Sequence, residues 1–317
     1  MQRHLAGTMT HSPAPSTAQK SLVPLTASAR YRLGLWGLTA PFMIGAVALV
    51  GLPALLTFAL AFFEYDALSP PTWRGIENFT QIFNERVFRI AVWNSALFVM
   101  MSVPLRVLGA LALAMLLQHR RRGYGVYRVG VFLPTVIPDI AYALIWLWIF
   151  NPLYGPLNLI LGALGLPQPA WLVNPNTALV SIAIMSLFQI GEGFVLLLAG
   201  LRSIPTDYYA AGSVYGAGSW QLFRYVTLPL LAPWLVLLTI RDIIVTSQNT
   251  FTAAYLMTGG GPYYATLFMP LLIYEEAFDR FRFGLGAAMM LVMFLAIGLL
   301  LYLVFLTLRG WGYEDDA

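Results

Sequence analysis

Long apolar runs separated by short polar stretches dominate the chain. Six of them reach the roughly 20 mainly apolar residues that a helix needs to cross a bilayer, over 33 to 63, 90 to 117, 127 to 150, 178 to 201, 227 to 249 and 285 to 307. The pattern predicts an all-α, polytopic membrane protein with six transmembrane helices. Helix-breaking chemistry falls between the spans, at Ser69-Pro70-Pro71, Asn151-Pro152, Asn174-Pro175 and Gly259-Gly260-Gly261-Pro262. Trp73, Trp171, Tyr263 and Tyr264 in these loops suit the interfacial belt, where an amphipathic ring sits at headgroup depth. Residues 1–29 are rich in Ser, Thr, Pro and Ala and read as a disordered tail. They do not read as a signal peptide, whose apolar core would follow its basic start directly. The expected division is therefore a tail over 1–29, a membrane domain over 30–309 and a second tail over 310–317.

Composition agrees with this picture. Of 317 residues, 59% are hydrophobic and only 10% charged, against about 25% charged in soluble domains. So few charges cannot cover the surface of a water-soluble fold of this size. There is no cysteine, which removes disulfides, thiolate metal sites and cysteine nucleophiles.

An even number of spans puts both termini on one side, and the basic residues choose which. Arg3, Lys20, Arg30, Arg32, Arg120, Arg121, Arg122, Arg128, Arg202, Arg224 and Arg309 make eleven on the side of the termini, against five opposite: Arg74, Arg86, Arg89, Arg280 and Arg282. Basic loops stay in the cytoplasm, so both termini are expected there. The same asymmetry accounts for the basic pI of about 9.3. No stripe of basic and aromatic residues suggests nucleic acid.

The stretch between the fourth and fifth spans, 202 to 225, is too elaborate for a connector. Pro205 suits the first turn of a helix, Asp207 favours its N-terminal end, Gly216-Ala217-Gly218 reads as a stop, and Ser219 can cap a second helix running into Leu228-Pro229. Tyr208, Tyr209, Tyr215, Trp220 and Phe223 would be costly in water, so the element either docks on a partner or lies in the membrane interface.

Five ionisable residues fall inside predicted spans: Arg106, Asp139, Glu192, Arg241 and Asp242. An unpaired charge at mid-bilayer costs about 2.5–3.5 kcal/mol on insertion scales, so each should face a partner or a wet cavity. Arg106 and Asp139, both near mid-span by residue count, are expected to form a structural pair. Glu192 lies in Gln189-Ile190-Gly191-Glu192-Gly193, where two glycines let something approach the backbone closely. Two readings stand for it: a contact on a substrate path, or an ion pair with Arg241 that ties spans four and five. Asp242 points about 100° away from Arg241 around the helix and needs its own partner or water. The fifth span ends in the polar tract Thr246-Ser247-Gln248-Asn249-Thr250-Phe251, which covers every helix face, so part of it should line a cavity. Helix capping is the alternative use for such residues. No catalytic set, phosphate-cradling loop or metal-ligand spacing is visible, and no cofactor is expected.

Several pieces of the chain, in order, resemble the inner-membrane permease subunits of carbohydrate-uptake ABC importers of the maltose and glycerol-phosphate type. They are Asn94-Ser95-Ala96, Pro104-Leu105, Arg122-Gly123, Phe132-Leu133-Pro134 with Pro138, Trp146 with Trp148, Asn151-Pro152, Trp171-Leu172, Leu198-Ala199-Gly200-Leu201, Ile204-Pro205, Gly216-Ala217, Thr227-Leu228-Pro229-Leu230, Thr258 to Pro262, and Ile273-Tyr274. The resemblance implies a non-enzymatic permease in the inner membrane of a prokaryote. Its implied partners are a second, similar permease, two cytoplasmic ATPase subunits, an external solute-binding protein, a sugar or polyol substrate and membrane lipid, with no nucleic acid. It makes the 203 to 225 segment the loop that couples to the ATPase, with Pro205, Tyr209, Ala210, Ala211, Gly212, Tyr215, Gly216, Ala217, Leu228 and Pro229 in the coupling region. The family's Glu-Ala-Ala signature falls on Ala210-Ala211-Gly212, so its glutamate is absent, and Tyr215 replaces the usual acidic residue before the glycine. It also implies a substrate path through Gln189, Gly191, Glu192, Arg241, Ser247, Asn249, Thr250 and Phe251. A permease of a non-carbohydrate ABC importer and an ion-coupled secondary transporter using Asp139, Glu192 and Asp242 are the rival readings.

Overall fold

The computed structural model describes residues 25–118 and 123–308, with side chains over 34–118 and 123–307. The chain divides into two compact units, up to Leu55 and from Leu56 on. The first holds α1 (Leu25–Ala46), a π-helical turn (Val47–Gly51) and the start of α2 (Leu52–Leu60). Its large side chains, Trp36, Leu38, Phe42 and Ile44 among them, are apolar and exposed, as lipid contact requires. α1 begins at Leu25, so residues 25–29 are helical. The rest of the expected tail, the 119–122 basic cluster and the 309–317 terminus lie outside the described residues.

The second unit is helical apart from one ladder of two-residue strands, β1 (Phe63–Glu64) and β2 (Thr72–Trp73), paired antiparallel with Phe63 opposite Trp73. Between the strands the Asp66 carboxylate accepts from the Ser69 backbone N–H and hydroxyl and from the Leu68 N–H, which hold its pKa below the ordinary value. α3 (Glu77–Asn84) leads to α4 (Arg86–Leu116), the long helix about which the bundle is built. α5 (Tyr124–Val136) and α6 (Asp139–Ile149) follow, then α7 (Pro156–Ala163), α8 (Pro175–Leu187) and α9 (Gly191–Ser203). After α10 (Thr206–Val214) and α11 (Ser219–Leu222), a π-helical turn runs into α12 (Leu228–Ala253); α13 (Met269–Tyr274) and α14 (Phe283–Leu308) complete the chain.

Among the described residues, four stretches are long and apolar enough to span: Gly34–Leu60, Arg86–Leu116, Ser219–Thr258 and Phe283–Thr307. The other two expected spans are each a bent pair, α5–α6 at 103° and α8–α9 at 47°, giving six if each pair counts as one. Pro138 explains the first break, since it has no N–H to give and biases Ile137 away from helix. The second falls at Phe188-Gln189-Ile190. Carbonyls at a break inside an apolar layer need donors: Met185 O and Ser186 O accept from the Phe188 and Gln189 N–H groups, and side chains add Tyr142 Oη to Met185 O at 2.8 Å, Arg106 Nη1 to Ser186 O at 3.1 Å and Arg106 Nη2 to Gln189 O at 3.3 Å.

Glycines set the closest helix approaches. A Cβ at Gly200 would meet the Trp234 indole at 2.7 Å, and one at Gly193 would meet Leu238 at 3.0 Å, so α9 lies tightly on α12. A Cβ at Gly191 would meet Phe132 Cα and Val131 O of α5 at 2.9 Å. What approaches the backbone there is another helix, which gives Gly191 a packing role. Backbone atoms cannot step aside as a side-chain tip can, so Gly191→Ala should destabilise the protein by about 1–3 kcal/mol. The check is a lower unfolding midpoint of the purified variant, with Gly125→Ala, where nothing lies nearby, unchanged.

On the loop side of the bundle, Asn94 Nδ2 donates to Tyr264 O at 2.7 Å and Leu267 O at 3.2 Å, and Met269 N–H donates to Ser95 Oγ at 2.8 Å. The Asn94-Ser95 pair on α4 thus holds the glycine-rich 259–268 segment and caps α13. Trp171 is not a free interfacial ring: its Nε1 donates to Asn158 Oδ1 at 2.8 Å, and Asn158 in turn donates to Pro152 O and Pro169 O.

Candidate functional site

A polar cavity of about 180 Å³ opens where the two broken spans meet α4 and α12. One face of α12 supplies Val245, Thr246, Asn249, Thr250 and Ala253, a stripe at helical spacing below Arg241. The break between α8 and α9 supplies Ser186, Gln189 and Glu192; Thr135 and Asp139 come from the bend between α5 and α6, and Arg106 from α4.

A chain of charges runs along this wall. Arg106 Nε lies 3.2 Å from Asp242 Oδ2, with both side chains under a tenth exposed, and Arg241 Nη1 lies 2.9 Å from Asp242 Oδ1. Arg241 Nη2 also pairs with Glu192. Asp242 therefore sits between two guanidiniums, and Arg106 divides its donors between that carboxylate and the two carbonyls of the helix break. The expected Arg106–Asp139 pair is not formed. α4 packs on α12, which presents Asp242 to Arg106, whereas the 103° bend leaves Asp139 in the first turn of α6, lining the cavity with no partner among the described residues. Counting depth along straight helices misplaces any residue beyond a break.

The cavity wall also holds two hydroxyls without partners. Thr246 Oγ1 and Thr250 Oγ1 are buried, their residues only 6% and 4% exposed, and neither has a hydrogen-bond partner among the described residues. A buried hydroxyl left unpaired costs about 1–3 kcal/mol.

Of the residues expected on a substrate path, the structure brings Gln189, Glu192, Arg241, Asn249 and Thr250 to this cavity. Gly191 supports its wall through α5. Ser247 does not reach it: one residue off the stripe, it donates to Ile243 O at 2.7 Å and faces an apolar crevice with Val99, Met269 and Ile297. Phe251 stacks on Tyr255 with ring centroids 5.4 Å apart and packs against Tyr274. Thr246, from the polar tract expected to reach a cavity in part, lines it, and so does Thr135. The period of Asp242, Thr246, Asn249 and Thr250 could have revealed the first; nothing in the sequence marks the second.

The segment between α9 and α12 has the two-helix form expected of it. Pro205 precedes α10, whose C-terminus closes on Gly216 at φ +80°, with Ala217 N–H donating to Gly212 O at 3.0 Å and Gly216 N–H to Ser213 O at 3.0 Å. The cap of α11 is Gly218 rather than Ser219, with its N–H donating to Gln221 Oε1 at 2.8 Å. Gly212 packs on Leu222, so the two short helices touch. Ala210 and Ala211 lie exposed on α10, and Leu228 and Pro229 open α12. Tyr209 and Phe223 pack inward, with Tyr209 Oη 3.0 Å from Thr227 Oγ1. Tyr208, Val214, Tyr215, Trp220 and Tyr225 remain exposed, Tyr215 at 92%.

The fold is that of a polytopic helical membrane protein whose discontinuous spans border a polar cavity. The family model described as "Binding-protein-dependent transport system inner membrane component" matches residues 106–309. The chain belongs to this family, and is an ABC-transporter permease that crosses the membrane several times. It is similar to the probable ABC transporter permease protein YesP of Bacillus subtilis, at 32% identity over 282 residues, 87% of this chain and 91% of that one. It is similar also to the trehalose/maltose transport system permease protein MalF of Thermococcus litoralis, at 31% identity over 277 residues, 86% and 93% of the two chains. The sulfoquinovosyl glycerol transport system permease protein SmoG of Agrobacterium fabrum is 32% identical over 260 residues, 81% and 84%. Among solved structures, a chain of a bacterial alginate ABC transporter, crystallised with alginate pentasaccharide-bound periplasmic protein, shares the fold with a TM-score of 0.77 at 18% identity, covering 88% of this chain and 95% of that one.

Proposed function

We propose that this permease carries a saccharide or related polyol inward across the inner membrane of a prokaryote, through the cavity between α4, α12 and the two broken spans. The observation that carries the reading is the pair of buried, unpartnered hydroxyls of Thr246 and Thr250, beside the amide side chains of Gln189 and Asn249. Hydroxyls and amides both donate and accept, which suits a ligand whose own groups do the same. The named sugar substrates of similar permeases support it.

In this reading a membrane domain over 30–309 has both tails in the cytoplasm. A second permease completes the path, an external binding protein delivers the sugar, and two ATPase subunits supply the energy. Residues 203–225 form the coupling element: ATP-driven closure of the ATPases moves α10 and α11, and Tyr209 and Phe223, packed inward, pass that motion to the base of α9 and α12. Glu192 and Arg241 join α9 to α12 beside the cavity, so the ion pair and the substrate path are one site.

Uptake of radiolabelled saccharides by cells expressing the whole transporter tests the cavity. Thr246→Val and Thr250→Val keep shape but remove one hydrogen bond each, worth about 0.5–1.5 kcal/mol. Each should raise the KM for uptake by about 2–10-fold at unchanged membrane abundance. Unchanged KM in the double variant would place the substrate elsewhere.

A further inference from the structure

The charges around the cavity do not balance, and the excess identifies the substrate more narrowly. Two guanidiniums, Arg106 and Arg241, meet three carboxylates, Asp139, Glu192 and Asp242. Arg106 is taken up by Asp242 and two backbone carbonyls, and Arg241 by Asp242 and Glu192. Arg106 is closed off by these contacts, and Arg241, 35% exposed, is already shared by two carboxylates. Asp139 is left over: it lines the cavity from the first turn of α6, and its side chain has no ion-pair or hydrogen-bond partner among the described residues. A carboxylate in an apolar segment is retained where a partner or water meets it.

Two kinds of cation could do so. A bare metal ion needs several hard ligands around it, and among the described residues no three acidic or imidazole groups gather to hold one. An ammonium group needs one carboxylate and a few acceptors, and Asp139 lies in the same cavity as the unpartnered Thr246 and Thr250 hydroxyls and the Asn249 amide. We propose that the substrate is a cationic amino sugar, its ammonium group held by Asp139 and its hydroxyls by the α12 stripe, and that the same excess charge turns away uronates. This rests on the saccharide reading above and narrows it.

The test uses the complete transporter in cells and a matched series of probes: glucosamine, N-acetylglucosamine, glucose and glucuronate, with the β-1,4 disaccharide of each. A hydrogen-bonded charge pair contributes about 1.5–3 kcal/mol, so the amine probe should be preferred over its acetamide counterpart by about 10-fold or more. In Asp139→Asn that ratio should fall to near 1. Because the binding protein is the same for both transporters, a change in the ratio belongs to the permease. Preference for the uronate, or an amine-to-acetamide ratio that Asp139→Asn leaves unchanged, overturns the proposal while leaving saccharide transport intact. Uptake of none of these probes, with a non-saccharide carried instead, overturns the saccharide reading and this inference with it.

Discussion

Asp242→Leu should destabilise the protein by about 3–5 kcal/mol, because it strips the buried Arg106 guanidinium of its carboxylate and leaves the charge uncompensated. Arg106 is 7% exposed and Asp242 3%, so little water reaches the place of the lost partner. The damage extends beyond the pair, since Arg106 also donates to Ser186 O and Gln189 O at the α8–α9 break. Thermal unfolding of the purified transporter and trypsin sensitivity of α9 in membranes should both report the loss. The double variant Arg106→Leu/Asp242→Leu removes both charges and should recover much of the midpoint, as replacement of a buried ion pair by apolar residues commonly does. A double variant as unstable as the single would mean that Arg106 serves chiefly to tie the helix break. Arg74→Leu is the control: its partner Glu64 is half-exposed, and an exposed pair contributes little.

The second large effect is expected at the coupling element. On the proposal that α10 and α11 dock on an ATPase, Tyr215 and Trp220 are its anchors, exposed by 92% and 67% in this chain. Buried aromatic anchors commonly contribute about 2 kcal/mol or more at an interface, equivalent to a ~30-fold loss of affinity each. Tyr215→Ala and Trp220→Ala should therefore sharply reduce transport-stimulated ATP hydrolysis while leaving the unfolding midpoint unchanged, since neither ring belongs to the core. Ala210→Glu, which restores the acid of the family signature on an exposed position of α10, should raise the stimulated rate. Stimulation indifferent to all three would remove the 203–225 segment from the coupling path.

Apolar length alone gave the four continuous spans, and Pro205, Asp207 and Gly216 gave the two-helix segment before α12, because these signals act within one turn of chain. Of the breaks in the third and fourth spans, the first carries a signal in Pro138, but hydropathy marks neither as a bend. Hydropathy stays high through Ile137-Pro138 and Phe188-Gln189-Ile190, and an apolar window records what a residue is, not where the chain turns. From that one gap came the misassigned partner of Asp139. The Glu192–Arg241 contact was open to reading because both lie on neighbouring spans at similar depth. Ser247 could not be told from Thr246 by composition, since both belong to one polar tract; the helical period running from Asp242 through Thr246 and Asn249 to Ala253 separates them. The β1–β2 ladder, at two residues a strand, is too short to leave an alternation in the sequence.

The central claim is that this chain works as one permease within an ABC importer. Its most direct test is to tag the chain, extract it gently from native membranes and identify by mass spectrometry what remains bound. A nucleotide-hydrolysing ATPase and a second, similar multi-span permease should be recovered in stoichiometric amounts. Recovery of this chain alone, still able to move its substrate in vesicles without ATP, would contradict the claim.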